Sequence, residues 1–233
     1  EIHERLVGSE MCIRDSIIPA YNEQENIINT VSKVLDYKTE CDFQLDYVVI
    51  NDGSKDNTYD ICRKNNIRCV NLIQNLGIGG AVQTGYKLAN MQDYDIAVQF
   101  DGDGQHDINS LKSLIAPIVN GTADFTVGSR FIGDGVSFQS TAMRRFGIKI
   151  LSFTLKLFAK VNISDCTSGY RAASREVLKI LADDYPIDYP EPESLVHIAK
   201  AGYRIEEVPV NMFDRQGCLL YTSPSPRDAH ESR

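Results

Sequence analysis

The chain has 233 residues, room for one α/β domain with a sizeable core but little for two, and its 42% hydrophobic and 24% charged residues are those of a folded rather than a disordered chain. A formal net charge of −8 lacks the basic footprint of a general nucleic-acid binder. Six cysteines (12, 41, 62, 69, 166 and 218) form no CxxC pair and stand at no zinc-ligand spacing from a histidine, which argues against a zinc site or a disulfide framework and fits a reducing compartment.

In chain order, residues 1–15 show no sustained period and read as a non-native flank. Ser16–Pro19 is a short apolar run that ends in a loop. Glu25–Leu35 carries apolar residues at helical spacing. Asp46–Asn51 reads as a buried strand, Asp56–Asn65 as a helix, Ile67–Ile73 as a strand and Gly79–Met91 as a helix opened by glycines. Asp95–Phe100 is a third long strand, Asn109–Val119 a helix and Phe125–Gly128 a further strand. This alternation predicts an α/β fold, a mainly parallel twisted sheet with helices on both faces, spanning 16–217. Residues 218–233, rich in Ser, Pro and Arg, read as a second non-native flank.

In such sheets ligands bind beyond the carboxyl ends of the strands, and the polar clusters of this chain sit there. Asp101-Gly102-Asp103-Gly104-Gln105 follows the third long strand. If the backbone stays extended, Asp101, Asp103 and Gln105 project to one side, and two carboxylates with an amide oxygen suit Mg²⁺ or Mn²⁺. Gly102 and Gly104 would let a diphosphate approach the backbone. The competing reading is a plain Asp-Gly turn between strand and helix. Asp52, after the strand ending at Asn51, can accept from a ribose hydroxyl or a base N–H, or else cap the helix near Asp56. Pro19, Ala20, Tyr21 and Glu23 form a loop with a stacking face and an acceptor. Gly79, in NLGIGGA, can expose backbone N–H groups to a phosphate. A dinucleotide fingerprint fails there, because Val82 stands where a glycine is required.

Seven stretches in order carry a resemblance: IIPAYNEQENI (17–27), VVINDGSKDNT (48–58), NLGIGGAVQTGY (75–86), VQFDGDGQHD (98–107), VGSRF (127–131), DCTSGYRA (165–172) and GYRIEEVPV (202–210). Together they resemble glycosyltransferase family 2, in the branch that contains dolichyl- and polyprenyl-phosphate sugar synthases. The resemblance implies a GT-A, Rossmann-like fold, a UDP- or GDP-sugar donor, a divalent metal and inversion at the sugar C1. It implies that Pro19, Tyr21 and Glu23 line the nucleotide pocket, that Asp52 holds base or ribose, and that Asp101, Asp103 and Gln105 hold metal and diphosphate. Arg130 would approach the phosphates or the acceptor, Asp165 would lie near the reaction centre, and Arg215 would clamp the phosphate end. The chain departs from the family at Arg14 and Asp15, where apolar residues are expected, and at Cys218, where the late motif breaks.

A lipid-phosphate acceptor is already anionic and needs no strong base. A glycan or glycolipid hydroxyl needs one, with Asp165 first and Glu191 or Glu193 second in line. For the two glutamates the competing role is negative charge in a helix's first turn. A non-catalytic nucleotide-sugar-binding fragment is the reading of another class. His106 is read as structural and His197 as a packed helix residue. Residues 144–161 combine Arg145, Lys149, Ser152, Lys156 and Lys160 on one face with Phe, Leu and Ile elsewhere. They are too charged to span a bilayer and fit either a helix lying in the membrane interface or a core helix with a lysine stripe. With no apolar run of about 18 residues, the expected location is the cytoplasm, peripheral at the inner face of the membrane.

Overall fold

The structure, a computed structural model, describes residues 12–132 and 142–212. Among these residues seven strands form one sheet: β1 (Cys12–Ala20), β2 (Gln44–Asn51), β3 (Cys69–Asn71), β4 (Ile96–Gln99), β5 (Phe125–Ser129), β6 (Arg171–Ser174) and β7 (Ile205–Pro209). Their order is β3-β2-β1-β4-β6-β5-β7. β6 is antiparallel to β4 and β5, and every other pairing is parallel. β1 enters the sheet at Cys12, upstream of the expected Ser16, and shifts register between Ile13 and Ser16.

Alternation along the buried strands sends successive side chains to opposite faces. Ile18 and Val49 face a layer of α1 (Ile27–Glu40), α2 (Thr58–Lys64) and α4 (Leu111–Val119), where Ile27, Val31, Cys62, Leu111 and Leu114 are buried. Ile17, Val48 and Ile50 face α3 (Gly77–Met91), α5 (Ala142–Ala159), α6 (Arg175–Asp183) and α7 (Pro190–Lys200), where Val82, Tyr86, Leu155, Leu178 and Leu195 are buried. The two-faced α/β sheet expected from the sequence is therefore present.

This topology decides where loops meet. The loops after β1, β2, β4 and β5 open on one sheet edge. Because β6 runs the other way and pairs Gln99 with Arg171, the loop before β6 opens there too. The winding reverses at β1, with β2 on one side and β4 on the other, and the crevice created by such a reversal is the usual ligand site of an open α/β sheet.

Candidate functional site

The loops after β1 and β2 are one unit. Asn22 N–H donates to Ser54 Oγ at 3.0 Å, Lys55 N–H to Asn22 Oδ1 at 2.9 Å, Glu23 N–H to Thr58 Oγ1 at 2.9 Å, and Gln24 N–H to Asp56 Oδ2 at 3.2 Å. Glu23 Oε2 accepts from Asn26 Nδ2 at the start of α1, and Tyr21 is half-buried. Pro19 and Ala20 are buried at the end of β1, and Ala20 carbonyl accepts the N–H of Asp52.

Asp52 is fully buried and makes no bond to the helix that follows it; Asp56 Oδ1 accepts the N–H of Thr58, the first residue of that helix, at 2.9 Å. Instead Asp52 Oδ1 accepts the N–H of Leu76, 2.7 Å away, which ties β2 to the glycine-rich start of α3. Its Oδ2 is buried without a hydrogen-bond partner. Burial pushes the carboxyl up, against the N–H groups of Leu76 and Gly77 that pull it down. An orphaned buried acceptor of this kind needs a ligand or water to satisfy it. Gly79 is also required by packing: a Cβ there would lie 2.5 Å from the Pro186 carbonyl and 2.8 Å from Ile187 Cα.

The DGDGQ loop is a turn, not an extension of β4. Gly104 has φ +76°, and Asp103 Oδ1 accepts the N–H of Gln105 at 3.1 Å, so the even alternation expected for Asp101, Asp103 and Gln105 does not hold. A Cβ on Gly102 would meet the Pro19 carbonyl at 2.8 Å; that glycine accommodates β1 rather than a diphosphate. Thr30 Oγ1 fixes the turn from α1 by donating to Gly102 carbonyl at 3.0 Å.

His106 sets the position of Asp101. It is 3% exposed, stacks on Tyr170 at 4.6 Å and 10°, and meets the edge of Phe100 at 5.5 Å. Its Nδ1 accepts the backbone N–H of Asp101 at 3.0 Å, and its Nε2 lies 3.4 Å from Asp101 Oδ2. Burial lowers its pKa to about 4, so the ring is neutral near pH 7, and a proton on Nε2 satisfies both contacts. The structural role expected for His106 is thus specific. From the other side Gln99 Nε2 donates to Asp101 Oδ1 at 3.3 Å, and Gly169 lies so close that a Cβ would sit 2.7 Å from Asp101 Oδ2.

Among the described residues no three His, Cys, Asp or Glu side chains gather into a metal cage. Two carboxylates with one amide oxygen still fit Mg²⁺ or Mn²⁺, which characteristically takes one or two protein carboxylates and completes its shell with substrate phosphates and water.

Arg130 arrives at the same edge from β5. It is clamped by Asp165: Nε donates to Oδ2 at 2.7 Å, Nη2 to Oδ1 at 2.6 Å and the backbone N–H to Oδ2 at 3.1 Å. Asp165 is fully buried and also accepts from Thr167 Oγ1 at 3.3 Å. In this structure the carboxylate expected as a base is engaged with Arg130, a bidentate charge-assisted contact that fixes where the guanidinium points. Arg171, fully buried, donates to the Ser168 and Cys166 carbonyls and to Ser194 Oγ, joining this loop to α7. Glu191, half-buried in the first turn of α7, has its carboxyl pushed up by burial, opposed by Arg171 and assisted by Asp101. Glu193 is exposed in that turn, and His197 is half-buried 3.6 Å from Asp184.

Arg215 lies outside the described residues. The chain leading toward it passes the turn: Met212 bridges to His106, and Asn211 N–H donates to Ser110 Oγ at 3.1 Å. Sequence reading assigned no individual role to Gln99, Gly169 or Glu207. The last two stand inside the SGYR and EEVPV stretches, which were legible as motifs.

The sequence model of glycosyl transferase family 2 matches residues 15–181. The chain belongs to that family. A UDP-N-acetylglucosamine–dolichyl-phosphate N-acetylglucosaminyltransferase of Methanococcus voltae is 34% identical over 214 residues, covering 83% of this chain and 83% of that protein. A polyprenol monophosphomannose synthase of Mycolicibacterium smegmatis is 28% identical, covering 86% of this chain and 77% of its own length. The likeness places the family 2 chain in the dolichyl- and polyprenyl-phosphate branch. In fold it is similar to glucosyl-3-phosphoglycerate synthase of Mycobacterium tuberculosis, solved with Mn²⁺, UDP-glucose and phosphoglyceric acid (TM-score 0.67, 18% identity, 94% of this chain and 76% of that one). The same enzyme with Mg²⁺ and UDP gives TM-score 0.67 at 19% identity over the same shares. The family 2 chain is a glycosyltransferase with the GT-A fold.

Proposed function

We propose that this glycosyltransferase moves a sugar from a UDP- or GDP-sugar to a polyprenyl or dolichyl phosphate, with inversion at C1. The observation that carries the reading is that Asp101, aimed by His106, and Arg130, clamped by Asp165, both stand at the same end of the sheet. One edge thereby offers carboxylates for a metal-bound diphosphate and a guanidinium for a phosphate. The relatives named for dolichyl phosphate and polyprenol support the acceptor class.

Asp52 Oδ2 accepts from the ribose or base, with Pro19, Ala20, Tyr21 and Glu23 walling the pocket. Asp101, Asp103 and Gln105 would hold Mg²⁺ or Mn²⁺, which when bound would supply Lewis-acid stabilisation of charge on the leaving diphosphate. Arg130, together with Arg215 as the family resemblance implies, neutralises phosphate oxygens. The acceptor phosphate oxygen attacks C1 from the face opposite the diphosphate, so the C1 configuration inverts and no protein base is needed.

A second reading, transfer to a glycan or glycolipid hydroxyl, is favoured by one feature: Glu191, whose raised pKa and nearness to Asp101 suit a base. Glu191→Gln distinguishes them, abolishing transfer to a hydroxyl and sparing transfer to a lipid phosphate.

α5 supports a peripheral place at the cytoplasmic face of a membrane. Ile148 and Leu155 are buried, whereas Ile150, Phe153, Leu157 and Phe158 are 52%, 67%, 62% and 79% exposed beside exposed Lys149, Lys156 and Lys160. An outward apolar stripe flanked by lysines fits an anionic bilayer interface better than water. Among the described residues no helix is long and apolar enough to cross a membrane.

Thermal-shift titration with UDP-, GDP- and TDP-sugars, with and without Mn²⁺, tests the donor site. Stabilisation that needs Mn²⁺ and disappears in Asp103→Asn supports it, and no shift with any nucleotide sugar refutes it.

A further inference from the structure

We propose that Glu207 on β7 is a positioning residue for the transfer reaction, acting on Arg130 through Asp165. The inference rests on the reading of Arg130 as a phosphate-binding group.

The two carboxylate oxygens of Glu207 are divided between two consecutive backbone N–H groups: Ser164 N–H donates to Oε2 at 2.8 Å and Asp165 N–H to Oε1 at 2.8 Å. Charge-assisted bonds of this length are strong, and a pair of them fixes the direction of the peptide as well as its position. The loop they fix carries one functional side chain to the site, Asp165, whose oxygens hold Arg130 at 2.6 and 2.7 Å. Sheet register explains the reach. Glu207 pairs with Val127 on β5, three residues before Arg130, so the strand that delivers the arginine and the strand that delivers its remote support are neighbours. The residues beside Glu207 point elsewhere: Val208 is buried in the opposite layer, and Glu206 accepts from Thr122. Two further contacts brace the same loop, Ser152 Oγ to the Ser164 carbonyl and Arg171 to the Cys166 carbonyl. Neither of them holds the peptide N–H of Asp165.

Glutamine at 207 keeps the shape but offers one acceptor oxygen and turns an NH₂ toward the second N–H. The loop then loses one bond and the Asp165 carboxylate loses its aim. The test uses the full chain labelled with ¹⁵N-arginine. The Arg130 Nε–H resonance, assigned by its absence in Arg130→Lys, exchanges slowly with water in the wild type and faster in Glu207→Gln. Transfer from UDP-N-acetylglucosamine or GDP-mannose to dolichyl phosphate falls in kcat by about 10- to 100-fold in Glu207→Gln, with donor KM unchanged, as expected for a misplaced group rather than a lost donor contact. Adding Glu207→Gln to Arg130→Lys brings no further loss. Glu206→Gln serves as the neighbouring control with wild-type behaviour. Glu207→Asp, which keeps the charge and shortens the reach by one methylene, gives the same two readouts should the glutamine variant not fold. An Arg130 resonance that exchanges as in the wild type, or a kcat that falls only with the folded fraction, overturns the proposal. A wild type that uses neither donor refutes the functional reading for those donors, and the Arg130 resonance still decides the role of Glu207.

Discussion

His106 Nδ1 accepts the backbone N–H of Asp101 at 3.0 Å while Nε2 of the same ring stands 3.4 Å from the Asp101 carboxylate. One imidazole therefore fixes both the backbone and the side chain of the first acidic residue of the DGDGQ turn. His106→Phe keeps the stack on Tyr170 and removes both polar contacts. Metal-site supports of this kind are worth about 10- to 100-fold in metal affinity or activity. Mn²⁺ titration of transfer activity should show the apparent Mn²⁺ affinity weakened by that factor in His106→Phe, with the fold retained by circular dichroism.

Gly169→Ala places a methyl where only 2.7 Å separates it from Asp101 Oδ2. The carboxylate must move, so transfer activity should fall by about 100-fold, the scale of a displacement of about 1 Å in a reacting constellation. Melting temperature should change little, because the Asp101 side chain is 29% exposed and has room to give way. Steady-state kinetics beside a melting curve separates the two effects.

Asp52→Asn is expected to stabilise the protein and disable it. The folded-state pKa of Asp52 is raised by burial, so ionisation costs stability above that pKa, and the cost disappears as pH falls toward the unfolded value of about 3.9. The asparagine variant should melt at or above the wild-type temperature at pH 7.5. The gap should close by about pH 4, and the nucleotide-induced thermal shift should be absent throughout.

Asp165→Asn removes the buried carboxylate charge that holds Arg130, whose side chain is 8% exposed. Breaking a buried pair from one side costs about 3–5 kcal/mol. Urea unfolding should show a loss of that order. Asp165→Glu should recover part of the stability without restoring activity, since its longer arm changes where the guanidinium points.

On α5, Phe153→Ser combined with Leu157→Ser removes exposed side chains alone, so stability should hold while flotation with anionic liposomes drops. Replacing Lys149, Lys156 and Lys160 by glutamine should weaken the same binding and remove its dependence on salt.

The elements that sequence reading found are those with a strong period. Asp95–Phe100 contains β4, and 144–161 overlaps the α5 of Ala142–Ala159, because continuous or helically spaced apolar residues leave little choice. β6 and β7 were missed because RAAS opens on a fully buried arginine and IEEVP carries two glutamates, so neither has the apolar pattern of a strand. Their stability comes from partners that only the tertiary fold supplies, such as Ser194 for Arg171 and the 164–165 peptide for Glu207. The turn alternative for DGDGQ, weighed beside the extended one, is the geometry found; the positive φ of Gly104 and the cap made by Asp103 are local choices that strand alternation does not predict. The pairing of Asp165 with Arg130 was not legible, because the two lie 35 residues apart and meet only in the fold.

The most direct test of the account is transfer itself. Purified chain is incubated with Mn²⁺, dolichyl phosphate in detergent and each of UDP-N-acetylglucosamine, UDP-glucose and GDP-mannose, and the lipid fraction is analysed by mass spectrometry. The account predicts a lipid-phosphate sugar from at least one donor, dependent on Mn²⁺ or Mg²⁺ and lost in Asp103→Asn. No lipid product from any donor, or an Asp103→Asn variant as active as the wild type, would contradict it.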